Sequence, residues 1–212
     1  MLNIQTFVFS PFQENTYLIY NETKEAILID PGCFDESEKN ILKKFIEDHD
    51  LKLIRLINTH LHLDHIFGNK FVTDTYGIKP EAGKEDEFLI EKMLSQAQMF
   101  GLNLSEGAPE LGAYIIDGQE IKLGNSIFTA IHVPGHSPGS MAFYSKEDNL
   151  MFSGDVLFNG SIGRTDLEQG DYATLIRSIQ NRLLPLPDST VVYSGHGPST
   201  TIADEKKNNP YL

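Results

Sequence analysis

Apolar residues in the first sixty positions fall into short runs, and polar turns separate the runs. Three such runs predict strands of an antiparallel meander, at residues 4–9, 17–20 and 26–29. After the Asp30-Pro31-Gly32 turn, apolar positions recur at helical spacing over residues 37–49, and a short apolar strand follows at residues 53–57. This alternation of strand and helix predicts a layered α/β domain.

The remaining chain repeats the same order of elements. Its periodicity predicts helices at residues 65–76, 84–100 and 172–184. Apolar runs predict strands at residues 78–82, 113–116, 121–133 (with a turn at 123–125), 140–144, 149–152 and 191–193. Glycine and proline make residues 101–112 a loop, and the tail from Thr201 is polar, so 172–184 is the last predicted helix. Two similar halves packed sheet against sheet, forming a single domain over residues 1–212, explain this order best.

The segment Thr59-His60-Leu61-His62-Leu63-Asp64-His65 directly follows a predicted strand. Residues two apart in extended backbone project the same way, so His60 and His62 can converge on one point. Asp64 and His65 can face a second point where the chain turns. Imidazole and carboxylate are preferred zinc ligands, and a chance surface cluster would lack a strand leading into it. The pattern therefore predicts metal binding.

Three later residues of the same chemical types also follow predicted strands. They are His136 in Pro134-Gly135-His136-Ser137-Pro138, Asp155 after Ser153-Gly154, and His196 between Gly195 and Gly197. Glycine lets the backbone approach a ligand closely, and loops at strand ends commonly carry function. Each residue alone is weak evidence, but the repeated context predicts that all three belong to the metal site.

Other residues that could carry chemistry are better explained by packing or hydration. His49 lies at an acidic helix end and His132 in an apolar strand, so both are expected to be solvated or internally hydrogen-bonded. Cys33 has no second cysteine or neighbouring base, which favours a small buried residue over a nucleophile. Met93, Met99 and Phe100 are spaced along one helix, and we expect them in the core rather than in a binding pocket.

Composition and charge narrow the function further. The 212 residues are 40% hydrophobic and 22% charged, as in ordinary globular proteins. Thirty acidic against seventeen basic residues leave a net charge of −13, which disfavours nucleic acids and anionic membranes as partners. A single cysteine and the lack of a signal or membrane-spanning segment predict a cytoplasmic protein. The oligomeric state is open.

The H-x-H-x-D-H motif, with His136, Asp155 and His196 in this order, resembles the metallo-β-lactamase superfamily. Within it, Gly160-Ser161-Ile162-Gly163-Arg164-Thr165-Asp166 and the Asn209-Pro210-Tyr211-Leu212 end resemble the short glyoxalase II-like hydrolases. The resemblance covers essentially the whole chain. It implies an αβ/βα four-layer sandwich, with two mixed sheets flanked by helices and a dinuclear metal site at one edge of the sheets.

Carried over by position, the resemblance implies two divalent ions, with zinc first and iron or manganese as alternatives. One ion takes His60, His62 and His136, the other takes Asp64, His65 and His196, and Asp155 bridges them. Two such ions lower the pKa of a shared water from its value in bulk solvent towards about 7. The implied reaction is attack of that hydroxide on a thioester such as a hydroxyacylglutathione, with Asp64 and Asp155 in catalytic as well as ligand roles.

Two features leave the substrate open. Arg164 can steer an anionic substrate or pair with a nearby carboxylate, and loop arginines often do the latter. Full-length glyoxalase II enzymes continue into a helical domain that supplies glutathione contacts, whereas sixteen residues follow His196 here. Glutathione recognition is therefore a weaker expectation than metal hydrolysis.

The main alternative is a mononuclear iron persulfide dioxygenase of sulfur metabolism. Such enzymes resemble this chain and share Gly163-Arg164-Thr165-Asp166, and His60, His136 and Asp155 form the two-histidine, one-carboxylate set that suits iron. The complete second ligand set favours the hydrolase. A β-lactamase, a nuclease and a non-enzymatic binding protein are disfavoured by the missing signal peptide, the negative charge and the intact ligand set, respectively.

Overall fold

The computed structural model describes residues 2–212, which divide into two compact units. The first unit extends to Tyr114, and the second spans Ile115–Leu212. Each unit has its own six-stranded sheet and its own buried apolar cluster. That the chain forms one domain is not tested by this division and stays a prediction. Among the helices of residues 2–212, none combines the length and apolar character that a membrane crossing requires.

The sheet of the first unit follows chain order from β1 to β6. Its strands are β1 (Asn3–Phe9), β2 (Glu14–Tyr20), β3 (Glu25–Ile29), β4 (Lys52–Ile57), β5 (Pro80–Ala82) and β6 (Ala113–Tyr114). The first three strands pair antiparallel, whereas β3 to β6 run parallel. Because Ile29 pairs with Ile57, the carboxyl ends of β3 and β4 lie at the same edge.

Three helices pack on this first sheet and on the histidine motif at residues 59–65. They are α1 (Glu36–Asp48), α2 (Asn69–Tyr76) and α3 (Phe88–Met99). Asp35 caps α1 by accepting a hydrogen bond from the Glu38 amide at 2.9 Å. Helices α1 and α2 pack on the strands through Leu42, Ile46 and Val72. Helix α3 instead packs against the leucines of the histidine motif, Leu61 and Leu63.

The second unit is built on a sheet of order β14-β13-β10-β9-β8-β7. Its strands are β7 (Glu120–Leu123), β8 (Ser126–His132), β9 (Met141–Ser145), β10 (Leu150–Gly154), β13 (Val191–Ser194) and β14 (Thr200–Thr201), with a separate hairpin of β11 (Leu157–Phe158) and β12 (Ser161–Ile162). Only β10 and β13 pair in parallel. Helix α4 (Tyr172–Ser178), the π-helical turn Ile179–Leu183 and α5 (Ile202–Asn208) pack against this sheet.

Several predicted elements differ in extent, such as the helix expected over 84–100, and two further differences bear on the candidate site. The helix expected over 65–76 is a 3₁₀ turn at Leu63–His65 followed by α2. The His65 carbonyl, which a continuous helix would use, accepts instead from Asn58 Nδ2 at 2.9 Å. The polar tail, expected to lack a helix, forms α5 because Thr201 Oγ1 caps the Asp204 amide at 3.1 Å.

The residues that we assigned to packing separate into two groups. Met93 is buried, but Met99 and Phe100 are 85% and 58% exposed, so the prediction of core packing is wrong for both. They lie where α3 ends, beyond the turns that face the first unit's core. Cys33 is fully buried, which confirms the predicted small buried residue, and burial raises the pKa of its thiol to about 12, which disfavours a nucleophilic thiolate. His49 and His132 bond the carbonyls of Phe45 and Pro138.

Candidate metal centre

The histidine motif of the first unit follows β4 and lies at the edge where β3 also ends. His60, His62 and His65 are all buried, while Asp64 is 17% exposed. The ring centroids of His60 and His62 are 4.8 Å apart, and those of His60 and His65 are 4.1 Å apart. His65 Nε2 is 3.9 Å from Asp64 Oδ2. The structure thus brings the four motif residues of this unit close together, and their role as metal ligands stays a prediction.

Asp30 organises this cluster and was missed by the sequence analysis. It directly follows β3, is 1% exposed and adopts a left-handed backbone with φ of 48°. Its Oδ1 accepts from the Thr59 amide at 2.7 Å, and its Oδ2 accepts from Thr59 Oγ1 at 2.6 Å. The same Oδ2 lies 3.0 Å from His65 Nδ1. A signal for Asp30 was present in the sequence: it follows one predicted strand, and the histidine motif follows the next one.

These bonds define which nitrogen of each histidine faces outward. A carboxylate only accepts, so His65 carries its proton on Nδ1. Thr59 Oγ1 gives its proton to Asp30, so it accepts from His60 Nδ1 at 3.0 Å. Both imidazoles are therefore left with Nε2 as the electron-pair donor, the arrangement that metal-binding histidines use.

A second buried carboxylate lies behind Asp30. Glu14 is fully buried, and its Oε2 accepts from Thr16 Oγ1 at 2.8 Å. Thr16 Oγ1 in turn accepts from the Gly32 amide. Burial raises the pKa of Glu14 well above its ordinary value, which favours a neutral side chain there.

In the second unit, His136, Asp155 and His196 lie close together. Asp155 directly follows β10, and His196 lies two residues after the end of β13, the strand that pairs in parallel with β10. The Gly195 amide donates a hydrogen bond to the Gly154 carbonyl at 2.9 Å, which joins the ends of the two strands. Asp155 Oδ2 is 3.7 Å from His136 Nε2 and 3.6 Å from His196 Nε2. Two donors bound to one ion at about 2.1 Å in tetrahedral geometry are separated by about 3.4 Å. The spacing therefore fits shared coordination.

Backbone groups orient the second cluster. His136 Nδ1 donates to the carbonyl of Arg164 at 2.8 Å, which again leaves Nε2 as the electron-pair donor. Gly163 allows the close approach: a Cβ there would overlap the Asp155 carbonyl oxygen and lie 3.2 Å from His136 Cβ. The Arg164 side chain is exposed and makes two 2.7 Å bonds to Asp166. The pairing of Arg164 with a carboxylate is thus observed, and its role in substrate binding stays a prediction.

Glu205 joins the two sequence segments that carry the glyoxalase II-like resemblance. It lies in α5, is 2% exposed and accepts from the Gly160 amide at 3.0 Å and from Asn209 Nδ2 at 2.6 Å. Asn209 Nδ2 also donates to the Ser161 carbonyl at 3.0 Å. The loop that follows Asp155 is therefore anchored by α5, a helix that the sequence analysis missed.

The donor set of each unit fits a divalent metal ion. Both sets consist of imidazole nitrogens and carboxylate oxygens, which zinc and iron accept. Three of the histidines have Nδ1 fixed by a second group, which sets their orientation before an ion binds.

Comparison with known proteins agrees with this chemistry. The sequence model of the Metallo-beta-lactamase superfamily matches residues 9–196. The chain is 42% identical over 218 aligned positions to the curated protein Hydroxyacylglutathione hydrolase GloC of Haemophilus influenzae. That alignment covers 100% of this chain and 98% of the relative.

Solved structures show the same fold. BLEG-1 B3 metallo-beta-lactamase is 36% identical with a TM-score of 0.87, covering 100% of this chain and 99% of that one. TTHA1623 in a di-iron-bound form is 35% identical with a TM-score of 0.88, covering 98% and 100%. ETHE1 from Myxococcus xanthus is 27% identical with a TM-score of 0.78, covering 98% and 83%.

The expected fold class, two mixed sheets flanked by helices, is confirmed by the strand order and by these structures. The superfamily model matches most of the chain, and the full-length alignment with GloC supports the resemblance to glyoxalase II-like hydrolases. The chain therefore belongs to the metallo-β-lactamase superfamily, as a glyoxalase II-like metallo-hydrolase.

Proposed function

We propose that this protein hydrolyses thioesters with two divalent metal ions, on a hydroxyacylglutathione or a closely similar small molecule. The observation that carries the proposal is the 42% identity to Hydroxyacylglutathione hydrolase GloC. That relative is aligned over 98% of its own length, so the named activity belongs to a protein of about this size. Glutathione recognition therefore needs no large additional domain in that relative.

We assign the ligands by family position: His60, His62 and His136 to one ion, Asp64, His65 and His196 to the other, and Asp155 to both. The donor chemistry and the fixed Nδ1 atoms within each unit support this assignment. We favour zinc, although the di-iron form of TTHA1623 makes iron a direct alternative. Such ions polarise the thioester carbonyl and lower the pKa of a bound water.

The chain's own residues supply geometry. Asp30 and Thr59 keep His60 and His65 each in one tautomer, so neither of these imidazoles has to rearrange before catalysis. Asp64, at 17% exposure, remains accessible enough to orient a water molecule as well as to bind metal. We keep that catalytic role, and the bridging role of Asp155, as proposals.

The test is a hydrolysis assay in which zinc-loaded protein is mixed with S-lactoylglutathione and the decrease in thioester absorbance is followed. We expect kcat/KM above about 10⁴ M⁻¹s⁻¹, the lower part of the usual enzymatic range. His49→Ala is the matched control, since the His49 side chain bonds the Phe45 carbonyl and packs on Phe45 and Tyr20, none of which is a proposed ligand, so turnover should not change. Binding of zinc without any turnover would reject the glutathione thioester as substrate.

Iron-dependent persulfide oxidation is the second candidate. The observation that favours it is the similarity to ETHE1, and the di-iron-bound form of TTHA1623 shows that a similar structure holds iron. Metal analysis of the purified protein and oxygen uptake with glutathione persulfide separate the two functions. Uptake of oxygen by the iron-loaded protein, with no thioester turnover by the zinc-loaded one, would replace the hydrolase proposal. A cytoplasmic location is also proposed, and cell fractionation tests it.

A further inference from the structure

A buried carboxylate lies behind the histidine motif and is not part of the proposed ligand set. Asp86 ends the 3₁₀ turn Lys84–Asp86, just before α3, and is 0% exposed. Its Oδ2 accepts a hydrogen bond from the backbone amide of Leu61 at 3.2 Å. Leu61 stands between His60 and His62 in the chain. Asp86 thus contacts the backbone that carries two proposed ligands.

The backbone amides on both sides of His60 are bonded to buried carboxylates. The Thr59 amide donates to Asp30 on one side, and the Leu61 amide donates to Asp86 on the other. The side chains of Leu61 and Leu63 lie in the apolar cluster formed with α3. Burying a carboxylate beside such a cluster is unfavourable unless hydrogen bonds compensate it. One donor that Asp86 meets here is the Leu61 amide, within the histidine motif.

We propose that Asp86 is a positioning residue, which directs His60 and His62 towards a metal ion by holding the Leu61 amide. This inference rests on the proposed function, in which both histidines bind metal. Rotation of the peptide at Leu61 would swing both neighbouring side chains, because residues two apart share a direction only in a defined extended backbone. Asp86 removes that freedom before the ion binds, and such preorganisation raises affinity.

The experiment measures zinc affinity of the full chain by competition with a chromophoric chelator, without substrate. We expect Asp86→Ala to bind zinc about 10- to 100-fold more weakly, the usual effect of losing an orienting group. Asp86→Asn should stay within about threefold of the wild type, since the amide Oδ1 still accepts from Leu61. Wild-type affinity in Asp86→Ala would overturn the proposal.

Two control variants separate positioning from general destabilisation. Glu85→Ala removes an exposed carboxylate from the same turn and should leave zinc affinity unchanged. Leu89→Ala opens a cavity in the apolar cluster behind the motif and should lower the melting temperature while keeping zinc affinity. If Leu89→Ala weakens zinc binding as much as Asp86→Ala does, Asp86 acts only through stability.

A measurement on the metal-free wild type covers the case in which Asp86→Ala does not fold. Amide hydrogen exchange should show the Leu61 amide protected, because Asp86 holds it before metal arrives. Exchange at the rate of an unbonded amide would reject the proposal. If the wild type binds zinc but hydrolyses no thioester, the proposed substrate fails while the role of Asp86 stands on the affinity data.

Discussion

The two units hold their histidines by different chemical means. In the first unit, the orienting groups of His60 and His65 are side chains, Thr59 and Asp30, deep in the protein. In the second unit, His136 is oriented by a backbone carbonyl, that of Arg164. Substitution can therefore delete the orienting group of the first cluster, whereas only a change of loop conformation can disturb that of the second.

The proposed ligands also differ in their exposure to solvent. His60 and His65 are at most 1% exposed, whereas the side chain of His196 is 27% exposed. The ligands proposed for one ion, His60, His62 and His136, are at most 8% exposed. Asp64 and His196, proposed for the other ion, are 17% and 27% exposed, so the first ion would meet a less hydrated site. The comparison therefore predicts that the two sites differ in metal affinity, and the following substitutions test it.

The largest effect is expected from removal of a ligand. His62→Ala should lose one metal ion per chain and roughly 10³-fold in turnover, because the proposed mechanism needs both ions. Circular dichroism should show an intact fold, since His62 belongs to a loop beyond β4. Metal content by plasma mass spectrometry and thioester hydrolysis provide the measurements. Unchanged turnover would rule out the ligand assignment.

Removal of the shared orienting carboxylate should come next. Asp30→Ala leaves the Thr59 amide, the Thr59 hydroxyl and His65 Nδ1 without their buried acceptor, at a cost of about 3 kcal/mol in the free energy of unfolding. Affinity for both proposed ions should fall, by about 100-fold for the ion assigned to His65 and less for the other, because Asp30 contacts His65 directly and His60 only through Thr59. Urea denaturation and chelator competition measure the two quantities. Equal weakening of both ions would contradict this difference between direct and indirect orientation.

A smaller effect is expected in the second unit from Gly163→Ala. The added methyl group overlaps the Asp155 carbonyl oxygen, so the loop must shift, which we expect to destabilise the protein by about 2 kcal/mol. The shift moves the Arg164 carbonyl away from His136, and metal affinity falls with it. Gly160→Ala is the control for a glycine with open space around it, although its own left-handed φ of 68° adds strain. A loss of affinity no greater than that of Gly160→Ala would argue against backbone orientation of His136.

The smallest effect is expected from Arg164→Ala. The carbonyl that orients His136 remains, so metal content should not change, and the exposed pair with Asp166 contributes little to stability. We expect KM to change less than about threefold, in line with a pairing role. A larger rise in KM at constant kcat would instead assign Arg164 to substrate binding.

The Arg164–Asp166 pair should make the stability of the protein depend on pH in the acidic range. The Arg164 guanidinium holds the pKa of Asp166 at about 2, below its ordinary value of 3.8. A depressed carboxyl pKa stabilises the folded state above pH 3.8, and this contribution disappears as the pH falls towards 2. The stability difference between wild type and Arg164→Ala should therefore shrink over that interval. Urea denaturation at pH 5, 3.5 and 2.5 measures it.

Prediction from sequence succeeded where the information was local. The strands that precede Thr59 and His196 were visible as apolar runs, and the proposed ligands lie just after those strands. It failed for α5, because a single capping threonine in a polar segment is a weak signal without its tertiary contacts through Ile202 and Glu205. It failed for Asp86 because an acidic residue at a helix start is ordinarily an exposed partner of the helix dipole.

The sequence by itself identified the proposed metal ligands by residue type and by position at strand ends, since both are properties of neighbouring residues. Tertiary structure decided which atoms orient those ligands. Asp30 reaches His65 across 35 residues, the Arg164 carbonyl reaches His136 across 28, and Asp86 reaches the Leu61 amide across 25. Such contacts depend on the order and register of strands and on helix docking, and no local pattern of apolar and polar residues encodes them.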